Sequence, residues 1–497
     1  KKNYGIIEIK GTKTMEQPFP SWITRQMIRG ARGFNLDAYL VALEGWRRGL
    51  TLTWYVNPEK VTDLKIIGFN PMGKSFSLKD DDTGKVHYFY RSRGDLVANE
   101  AVDIVHDKFK AKNRLLEAGV STPKGFKFTK EESNEDIVAR FNDSDIKYPV
   151  VVKPIFGSLG KGVITNIKNQ KSLYQALNRV KENEEYNEFL IEEHIEGEEY
   201  RVYVVGSEVI AATKRVPANI IGDGKNTIKN LINQKNKNRE SNPYLKTKLI
   251  EIDETILQYL DYQGLTLDSV PRENEQIFLK GASNISAGGD PIDKTDLLTE
   301  KMKEVAIKAT KSIPNLTHVG LDMIINNNEP YVIELNATAD ISMHVFPIKG
   351  LPRNVPEKII DYYFPDTKGL TRGKEQLYFS YQEIRATLRD QLVEEITLRK
   401  VPRKKFCTKR YIVSGKVQGV NYRKWIRKQA VRKNLHGYTR NLNNGNVVVV
   451  VGGVEKDVKS FRNICAKGPK RAIVKDVEEL EWSGPVKLGF EIRKTRK

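Results

Sequence analysis

The sequence has little cysteine, with only Cys407 and Cys465 among its 497 residues. Two thiols are too few for a disulfide framework or a four-cysteine zinc site, so a reducing cytoplasm is the expected compartment. The chain also lacks any run of the roughly 18 to 20 apolar residues that a membrane helix needs. Its start, KKNYGIIEIKGTK, has neither the apolar core of a secretory signal nor an initiator Met. We therefore expect a cytoplasmic protein without a membrane segment, and some residues missing before Lys1.

Acidic residues are in short supply, because 63 Asp and Glu face 83 Lys and Arg and leave a net charge of +20. The deficit is local: residues 406–497 hold 22 basic and 7 acidic residues, a balance of +15, so the first 405 residues carry only +5. Such a basic region favours an anionic partner, whether phosphate, nucleic acid or an acidic membrane. The other proportions, 29% charged and 39% hydrophobic, are those of a globular chain.

The sequence pattern divides the chain into four segments. Residues 1–105 indicate an α/β segment whose chemistry is not recognisable. Residues 106–365 alternate short β-branched runs with longer helical patterns, which favours an α+β domain with largely antiparallel sheets. Residues 366–405 indicate a helical, semi-rigid linker that ends at Val401-Pro402. Residues 406–497 follow the order βαββαβ of a ferredoxin-like domain.

Several elements outside the two larger domains can be predicted individually. Short strands are expected at residues 7–10 and 52–56. A helix is expected after Asn35 as its N-cap, because apolar residues recur at helical spacing at Leu36, Leu40, Leu43 and Trp46. A linker helix is predicted by a repeat every four residues at Ile384, Leu388, Leu392 and Ile396.

A strand that runs into a glycine-rich loop gives the first chemical signal. The apolar run at 149–154 contains Lys153 and is followed by FGSLGKG at 156–162. Glycines allow backbone N–H groups to approach phosphate oxygens, and Lys153 and Lys161 add positive charge. The pattern predicts a nucleotide-phosphate site, with a purely structural turn as the alternative.

Three oxygen-bearing side chains flank a predicted turn at 326–330. If the two strands pair symmetrically about Asn328, Asp322 lies opposite Glu334, and Asn336 shares that sheet face two residues further on. Two carboxylates with an amide oxygen suit Mg²⁺ that bridges phosphates. The alternative is a solvated polar face, which the otherwise apolar runs HVGLDMII and YVIEL disfavour.

These signals belong to a longer likeness. Residues 106–365 resemble the ATP-grasp superfamily, in particular the ligase portion of cyanophycin synthetases and bifunctional glutathione synthetases. The resemblance is carried by six ordered blocks: DKFKAKNRLLEAGVSTPKG, VVVKPIFGSLGKGV, FLIEEHIEGEEYRVYVVG, IIGDGKNTIKNLI, GASNISAGGDPID and VIELNATADISMHVFP. It implies a fold in which two α+β subdomains sandwich ATP, and an amino-acid or peptide carboxylate–amine ligase.

The resemblance also implies roles for individual residues. ATP phosphates would be held by Lys108, Lys153, Gly157, Ser158, Gly160, Lys161 and Gly162. Adenine and ribose would be read by Glu192, Glu193, Ile195 and Glu199. Two Mg²⁺ ions, or Mn²⁺ in their place, would be bound by Asp322, Glu334 and Asn336, with Glu334 bridging. The carboxylate or the developing acyl phosphate would be bound by Arg201 and Arg215, whereas His194 and His344 are expected to be structural.

The implied chemistry needs no protein nucleophile. A carboxylate reacts poorly with an amine, because the attack would have to expel oxide. Transfer of the γ-phosphoryl group gives an acyl phosphate with a good leaving group, and this step depends on positioning and charge neutralisation. The lack of a Ser-His or Cys-His motif therefore does not argue against a ligase.

The sequence departs from these ligases at two positions. Ala339-Asp340 stands where the related enzymes usually have Pro-Gly, and Gly320 stands where some have an Arg near the transferred phosphate. The Mur-ligase-like domain of cyanophycin synthetases and the glutamate–cysteine ligase domain of glutathione enzymes are not recognised. The identities of the acid and the amine therefore stay open.

A second phosphate signal lies in the C-terminal segment. The loop Gly415–Val420 runs into a helix whose first turn carries Arg423. Such a loop binds anions through free N–H groups and the helix dipole, and Arg423 adds a bidentate donor. Asn441 ends the following strand, which we expect beside the first strand, and its amide could orient a water molecule. A stripe along the helix is expected in the core: Tyr422, Trp425, Ile426 and Ala430.

Residues 406–497 resemble acylphosphatase over their whole length, through VSGKVQGVNYRKW, HGYTRNLNNGNV and the later Gly468-Pro469. The resemblance implies metal-free hydrolysis of acyl phosphates, with Arg423 on the phosphate and Asn441 on the attacking water. An RNA-recognition module is the competing interpretation of a basic βαββαβ domain. Its central strands, however, offer only Tyr411 for stacking on bases.

The sequence thus predicts an ATP-grasp ligase fused to an acylphosphatase that clears escaped acyl phosphate. In the alternatives, the hydrolase acts on unrelated metabolites or the ATP-grasp part is only a nucleotide-binding scaffold. The predicted partners are carboxylate and amine substrates and acyl phosphates. Neither a membrane nor a nucleic acid is favoured, and the oligomeric state is open.

Overall fold

The computed structural model describes residues 18–67, 71–157 and 161–495. Within these ranges no helix combines the length and the apolar character that crossing a bilayer requires. The strand expected at 7–10, and Ser158 and Gly160 of the glycine-rich loop, lie outside the described residues.

The described residues contain helices and strands throughout, numbered here along the chain. The α-helices are α1 Phe34–Arg47, α2 Asn99–His106, α3 Lys108–Glu117, α4 Asn134–Asn142, α5 Gln170–Lys181, α6 Ile228–Ser241, α7 Glu254–Tyr262, α8 Glu300–Lys311, α9 Ser342–Val345, α10 Val355–Tyr363, α11 Tyr381–Arg389, α12 Tyr422–Arg432 and α13 Glu455–Lys467. The strands are β1 Thr51–Tyr55, β2 Ser75–Lys79, β3 Val86–Tyr90, β4 Arg93–Gly94, β5 Gly125–Thr129, β6 Val150–Pro154, β7 Ile164–Ile167, β8 Glu188–Glu193, β9 Glu198–Val205, β10 Glu208–Val216, β11 Asn219–Ile221, β12 Gln276–Phe278, β13 Asp290–Asp293, β14 His318–Asn326, β15 Glu329–Asn336, β16 Leu377–Tyr378, β17 Glu395–Thr397, β18 Phe406–Lys416, β19 His436–Asn441, β20 Val447–Val454, β21 Ile473–Glu481, β22 Val486–Lys487 and β23 Phe490–Ile492.

The N-terminal unit is an antiparallel sheet in the order β17-β1-β2-β3-β4, packed against α1. Helix α1 begins at Phe34 with Gly33 as its N-cap, two residues earlier than the cap predicted at Asn35. Its predicted apolar stripe is buried as expected, at Leu36, Leu40, Leu43 and Trp46. The strand expected at 52–56 is present as β1, shifted by one residue.

The linker differs from its prediction. Its helix α11 ends at Arg389, so Leu392 lies outside it and is 78% exposed, while Ile396 lies in strand β17. Strand β17 pairs with β1, and the linker residues Leu377 and Val401 are fully buried in the core of the N-terminal unit. The linker is therefore a part of that unit, because its apolar residues complete the unit's sheet and core.

The ATP-grasp region contains antiparallel sheets, as the sequence predicts: two larger ones and the short pair β11-β12. One has the order β5-β8-β6-β7 and is packed on one face by helices α4 and α5. The other has the order β13-β10-β9-β14-β15. Alternate residues on β9 and β14 are apolar and pack against α8, among them Val202, Leu321 and Met323. The opposite face of this second sheet is consequently the one that carries polar side chains.

The C-terminal unit has the predicted βαββαβ order, with a sheet β21-β18-β20-β19 flanked by α12 and α13 and extended by β23, which runs parallel to β19. The predicted helix core is present, since Tyr422, Ile426 and Ala430 are buried and Trp425 packs beside them. The expectation that Asn441's strand lies beside the first strand is wrong. Strand β20 lies between β19 and β18, as the ferredoxin-like order requires.

Candidate active sites

The polar face of the ATP-grasp sheet carries one row of charged residues across three strands. Arg201 on β9 is in register with Asp322 on β14, which is in register with Glu334 on β15. Asn336 follows two residues later, opposite Gly320, on the same face. The predicted pairing of Asp322 with Glu334 is therefore confirmed.

The route to that pairing is not the predicted one. The turn is a two-residue loop, Asn327 and Asn328, with φ values of 49° and 68°. From this turn the pairing runs with Met323 opposite Val332, one residue away from symmetry about Asn328. A β-bulge after Val332 adds one residue to β15 and restores the register that places Glu334 on the polar face.

Two arginines hold Asp322. Arg201 approaches it in a bidentate manner, with Nε 2.5 Å from Oδ1 and Nη2 3.2 Å from Oδ2. Arg215 Nη1 lies 3.4 Å from Oδ2 and its Nη2 donates to Glu199 at 3.1 Å. Burial alone would raise the pKa of Asp322, but Arg201 and Arg215 outweigh burial and lower it. Asp322 is therefore an anion, and the guanidinium groups of Arg201 and Arg215 both lie against its carboxylate.

The residues predicted to bind metal fit a hard cation. Asp322 and Glu334 face each other across paired strands, and the side chain of Glu334 is 31% exposed. The buried Nδ2 of Asn336 has no hydrogen-bond partner within the described ranges, so the amide can turn its oxygen toward a ligand. No group of three His, Cys, Asp or Glu side chains in the described chain is placed to hold a metal ion by itself. The donor set is thus two carboxylates and an amide, all oxygen ligands, as Mg²⁺ prefers.

Lys108 connects this row with the glycine-rich loop. Its Nζ donates to the carbonyl oxygen of Gly157 at 2.8 Å and lies 3.9 Å from Oε1 of Glu334. Burial lowers the pKa of Lys108, and the attraction of Glu334 only partly opposes this effect. A bound polyphosphate would raise this pKa again, because it would supply further negative charge beside the ammonium group.

The second phosphate lysine belongs to a buried triad that the sequence did not reveal. Lys153 and Lys112 both pair with the carboxylate of Glu192, Lys112 at 2.7 Å. Burial would raise the pKa of Glu192, but the two lysines lower it overall. Glu192 therefore fixes the lysines, so any contact with adenine must come from its backbone. The signal for Lys112 was its place one helical turn after Lys108, which puts both on one face of α3.

The other nucleotide residues are placed as follows. Glu193 accepts a hydrogen bond from the backbone N–H of Lys124, and the N–H of Ile195 donates to no protein acceptor in the described chain. Gly157 and Gly162 adopt positive φ, while Lys161 is exposed beside them. A free N–H at Ile195 is a suitable donor for an adenine ring nitrogen, whereas Glu193 serves the local fold.

The histidines agree with the structural role expected for them. His344 is 1% exposed and its Nδ1 bonds to the Thr213 hydroxyl at 2.7 Å. Burial, assisted by nearby Arg201, lowers the pKa of His344 to about 3, so the ring is neutral at physiological pH. His194 contributes its backbone N–H to the carbonyl oxygen of Pro149.

A steric constraint explains why residue 320 is a glycine. A Cβ at this position would lie 2.5 Å from Cβ of Ala339 and 3.2 Å from Cδ of Arg201. The missing side chain therefore leaves room for Arg201, from the neighbouring strand, and for the loop that follows Asn336. An arginine at 320 and this position of Arg201 would exclude each other.

The C-terminal unit holds a separate anion cradle. Seven consecutive backbone N–H groups, from Gln418 to Lys424, donate to no acceptor among the described residues. They span the end of the loop and the first turn of α12, where the helix dipole is positive. Gln418 anchors the loop, since its Nε2 donates at 2.8 Å to the carbonyl oxygens of both Leu442 and Asn446.

Arg423 and Asn441 adjoin this cradle. Arg423 is the second residue of α12, is partly exposed and forms no ion pair within the described chain. Asn441 ends β19 next to Leu442, which the loop contacts through Gln418. The buried Oδ1 of Asn441 has no hydrogen-bond partner among the described residues. A free guanidinium and an unpaired amide oxygen beside free N–H groups suit a phosphate and a water molecule.

The surface for stacking nucleic-acid bases is missing from this unit's central strands. Tyr411, the aromatic residue considered for that role, is 0% exposed and its hydroxyl donates to the carbonyl oxygen of Val458 at 2.7 Å. A base cannot stack on a ring that lies inside the core. This observation weakens the RNA-recognition alternative.

Comparison with known proteins supports the two-part organisation. The sequence model of the ATP-grasp domain family matches residues 105–339, and that of the acylphosphatase family matches residues 409–492. Cyanophycin synthetase of Crocosphaera subtropica is 32% identical over 275 residues, which are 53% of this chain and 31% of that protein. The glutathione biosynthesis bifunctional protein GshAB of Clostridium perfringens is 36% identical over 274 residues, 52% of this chain and 34% of that protein. The chain thus spans about a third of the length of these curated relatives.

Solved structures similar to parts of the chain include a glutathione synthetase and an acylphosphatase. A bifunctional glutathione synthetase from Pasteurella multocida is 29% identical with a TM-score of 0.47, over 61% of this chain and 41% of that one. An acylphosphatase from Coxiella burnetii is 32% identical with a TM-score of 0.17, over 18% of this chain and 93% of that one. On the evidence of the family matches, the chain joins an ATP-grasp domain to a C-terminal acylphosphatase domain.

Proposed function

We propose that the ATP-grasp domain is a ligase that joins a carboxylate to an amine through an acyl phosphate. The observation that carries the proposal is the position of Lys108, which contacts the glycine-rich loop and also lies beside Glu334 of the charged row. Groups suited to triphosphate and groups suited to a divalent cation therefore meet at one place. The matched relatives are ligases by name, which agrees with this reading.

The residues divide the work of phosphoryl transfer. Lys108 and Lys153 bind the ATP phosphates, with Lys153 held in place by Glu192. Arg201 and Arg215 bind the substrate carboxylate and neutralise the charge that develops on the transferred phosphoryl group. Asp322, Glu334 and Asn336 would hold Mg²⁺, two ions in this proposal, which supplies further charge neutralisation on the phosphates.

The test of the ligase is ADP release from the full chain with ATP, Mg²⁺ and pairs of amino acids or short peptides. We expect release to require an acid and to increase when an amine is also present, and Glu334→Ala to reduce it by about 10²-fold or more. Glu329→Ala is the matched control, because Glu329 begins the same strand and pairs only with Lys301 at the surface. No ADP release with any acid would favour a nucleotide-binding scaffold instead.

We propose that the C-terminal domain hydrolyses acyl phosphates to carboxylate and phosphate without a metal. The N–H groups 418–424 and Arg423 bind the phosphate, and Asn441 orients the water molecule that attacks phosphorus. Benzoyl phosphate hydrolysis by the full chain tests this role. We expect Arg423→Ala to abolish it and Arg427→Ala, an exposed change one turn along the same helix, to leave it intact.

The fusion has a simple purpose in this proposal. The ligase forms an acyl phosphate, and the acylphosphatase destroys what escapes before the amine captures it. Escaped intermediate that is hydrolysed consumes ATP without product, but spares other amines in the cell from acylation. Free acyl phosphate in a working reaction should therefore rise in Arg423→Ala, and the ADP released per product should change. An unchanged ratio and unchanged acyl phosphate would favour a hydrolase for unrelated metabolites.

A further inference from the structure

The loop that follows Asn336 carries a charged residue at the margin of the ligase site. Ala339 packs against Gly320, two residues before Asp322 in β14, and Arg201 lies beside the same glycine. The next residue, Asp340, stands where related ligases usually have glycine, and its side chain is 15% exposed. Asp340 thus lies in the surroundings of Arg201, which binds the substrate carboxylate in the proposed mechanism, since both charges act on the buried side chains of His344 and Tyr244.

The N-terminal unit holds this loop in position. The Ser92 hydroxyl donates to the carbonyl oxygen of Ala339 at 2.6 Å. Ser342 donates to Oδ1 of Asp37 through its hydroxyl at 2.6 Å and its backbone N–H at 3.2 Å. The same N–H lies 3.0 Å from Oδ1 of Asp340. Asp37 on α1 is fully buried, so residues of the N-terminal unit form a wall of the ligase site.

The neighbouring side chains of Asp37 and Asp340 differ in their protonation states. Burial and the negative charge of Asp340 raise the pKa of Asp37 well above its usual range. Burial acts in the same direction on Asp340, but Lys248 and Arg91 outweigh it and lower the pKa of Asp340. At neutral pH the buried Asp37 therefore keeps the proton and the partly exposed Asp340 carries the charge.

The partner of Asp340 is held loosely. Lys248 Nζ is 4.0 Å from Oδ2 of Asp340, and both side chains are 15% exposed. The ammonium group also lies 3.8 Å from the centre of the Tyr244 ring. In the same cluster the buried Nε of Arg91, a residue only 5% exposed, lacks a hydrogen-bond acceptor among the described residues. Asp340 is thus an accessible anion with a distant counter-ion, and Nε of Arg91 is a buried donor without an acceptor among the described residues. A polar ligand would satisfy the hydrogen bonding of both groups.

On the basis of the proposed ligase, we propose that Asp340 binds a free ammonium group on the carboxylic acid that is phosphorylated. Arg201 and Asp340 then match the two charges of an unblocked amino acid or peptide whose amino group lies a few bonds from its carboxylate. Lys248 is the counter-ion of Asp340 before the substrate binds. The attacking amine is a poor candidate for this contact, because a carboxylate would stabilise its ammonium form and withhold its lone pair.

Trapping with hydroxylamine tests the proposal without knowledge of the true amine. Its nitrogen attacks the acyl carbon, the bond to the phosphate oxygen breaks, and hydroxamate, inorganic phosphate and a proton are released. The full chain is given ATP, Mg²⁺, hydroxylamine and a panel of free amino acids and dipeptides beside their N-acetylated forms. We expect the free forms to give hydroxamate with kcat/KM about tenfold higher or more, mostly through KM.

Variants assign that preference to one residue. Asp340→Asn, which keeps the shape and removes the charge, should bring free and N-acetylated acids to within a few-fold of each other, and Lys248→Met should preserve the preference. Asp366→Asn is the control, because Asp366 is exposed and distant in the sequence from this loop. Thermal melting of each variant shows whether the chain is folded.

The outcomes separate this inference from the proposed function. Hydroxamate that forms equally from both kinds of acid, or a preference that survives in folded Asp340→Asn, overturns the role of Asp340 and leaves the ligase standing. If no acid in the panel gives either hydroxamate or acid-dependent ADP release, the ligase itself is contradicted. The role of Asp340 then fails with it.

Discussion

Glu192 shows how a single side chain organises the proposed ATP phosphate site. It is 3% exposed and neutralises two lysines, Lys112 and Lys153, that are themselves almost fully buried. Removing one member of a buried ion pair leaves an uncompensated charge, which typically costs about 3–5 kcal/mol. Here one carboxylate neutralises two ammonium groups, so its loss leaves both without a counter-ion.

We therefore expect Glu192→Gln to lower the free energy of unfolding by about 3 kcal/mol or more and to raise the KM for ATP. Urea denaturation followed by circular dichroism measures the first effect. Glu193→Gln is the matched control on the adjacent residue, because Glu193 is only partly buried and accepts a single backbone hydrogen bond. Equal stability of the two variants would show that the lysines find other compensation, such as water.

Gly320 allows a prediction that a second substitution can rescue. In Gly320→Ala the new methyl group meets Cβ of Ala339 at 2.5 Å, a distance that forces the loop to move. We expect a loss of about tenfold in kcat/KM for acid-dependent ADP release, since a displacement near 1 Å in a positioned site has effects of this size or larger. Ala339→Gly removes the opposing methyl group, so the double variant should recover most of the activity. A double variant as impaired as the single one would place the fault elsewhere.

At the scale of elements, the hairpin of β14 and β15 shows what a sequence can and cannot predict. Its two strands and the pairing of Asp322 with Glu334 follow from the sequence because the apolar runs are long and the turn residues are clear. The bulge after Val332 cannot be predicted in the same way. The two-residue turn moves the register one residue away from symmetry about Asn328, and the bulge moves it back by one residue. A pairing argument tests only their sum, so it can be right about the residues and wrong about the turn.

Short elements were missed for a different reason. Strands β17 and β23 have three residues each and pair with partners far away in the sequence, β1 and β19. Three residues carry no readable periodicity, so the repeat through Leu392 and Ile396 looked helical. Likewise, the contact of Asp37 with the 337–344 loop spans about 300 residues and leaves no local signal.

The contact between α1 and that loop makes a pH-dependent contribution to stability. Because the pKa of Asp37 is raised in the folded chain, Asp37 favours folding while it is protonated and opposes it as pH rises through the folded pKa. Stability falls by about 1.4 kcal/mol per pH unit between the ordinary aspartate pKa of 3.8 and the folded pKa of about 8, and the slope vanishes at higher pH. Lys374 acts in the opposite sense, since burial lowers its pKa to about 8 and folding gains from the neutral amine as pH rises.

We therefore expect the difference in unfolding free energy between the wild type and Asp37→Asn to depend on pH. Asp37→Asn should be close to the wild type at pH 6 and relatively more stable at pH 9, because asparagine cannot acquire the buried charge. Denaturation curves at both pH values measure this, and the subtraction cancels Lys374. A difference that does not change with pH would mean that Asp37 is already ionised at pH 6.

At the scale of the whole molecule, the acylphosphatase domain is fixed to the N-terminal unit. Strand β22 pairs in parallel with β16 of the linker, and Val486 and Leu488 donate their N–H groups to linker carbonyl oxygens at 2.8 and 2.7 Å. Along β20, Val449 faces the domain's own helices, while Val448 and Val450 belong to the hydrophobic cluster of the N-terminal unit. The unbroken run VVVVV is typical of a strand buried on both faces, a signal in the sequence that the alternating strands of an isolated domain would not give.

This arrangement predicts the behaviour of the excised domain. A fragment of residues 406–497 would expose Val448 and Val450, and each buried valine contributes about 1.5–3 kcal/mol. We expect the fragment to bind a hydrophobic dye, to self-associate in size-exclusion chromatography and to unfold at a lower temperature than the same domain within the full chain.

Val448→Thr with Val450→Thr should reduce dye binding by the fragment but destabilise the full chain. Val449→Thr, one residue away on the other face, should destabilise both, because its surroundings are the same in each. A monomeric fragment with wild-type stability would show that the shared core contributes nothing to the domain, and that the two catalytic halves are merely tethered.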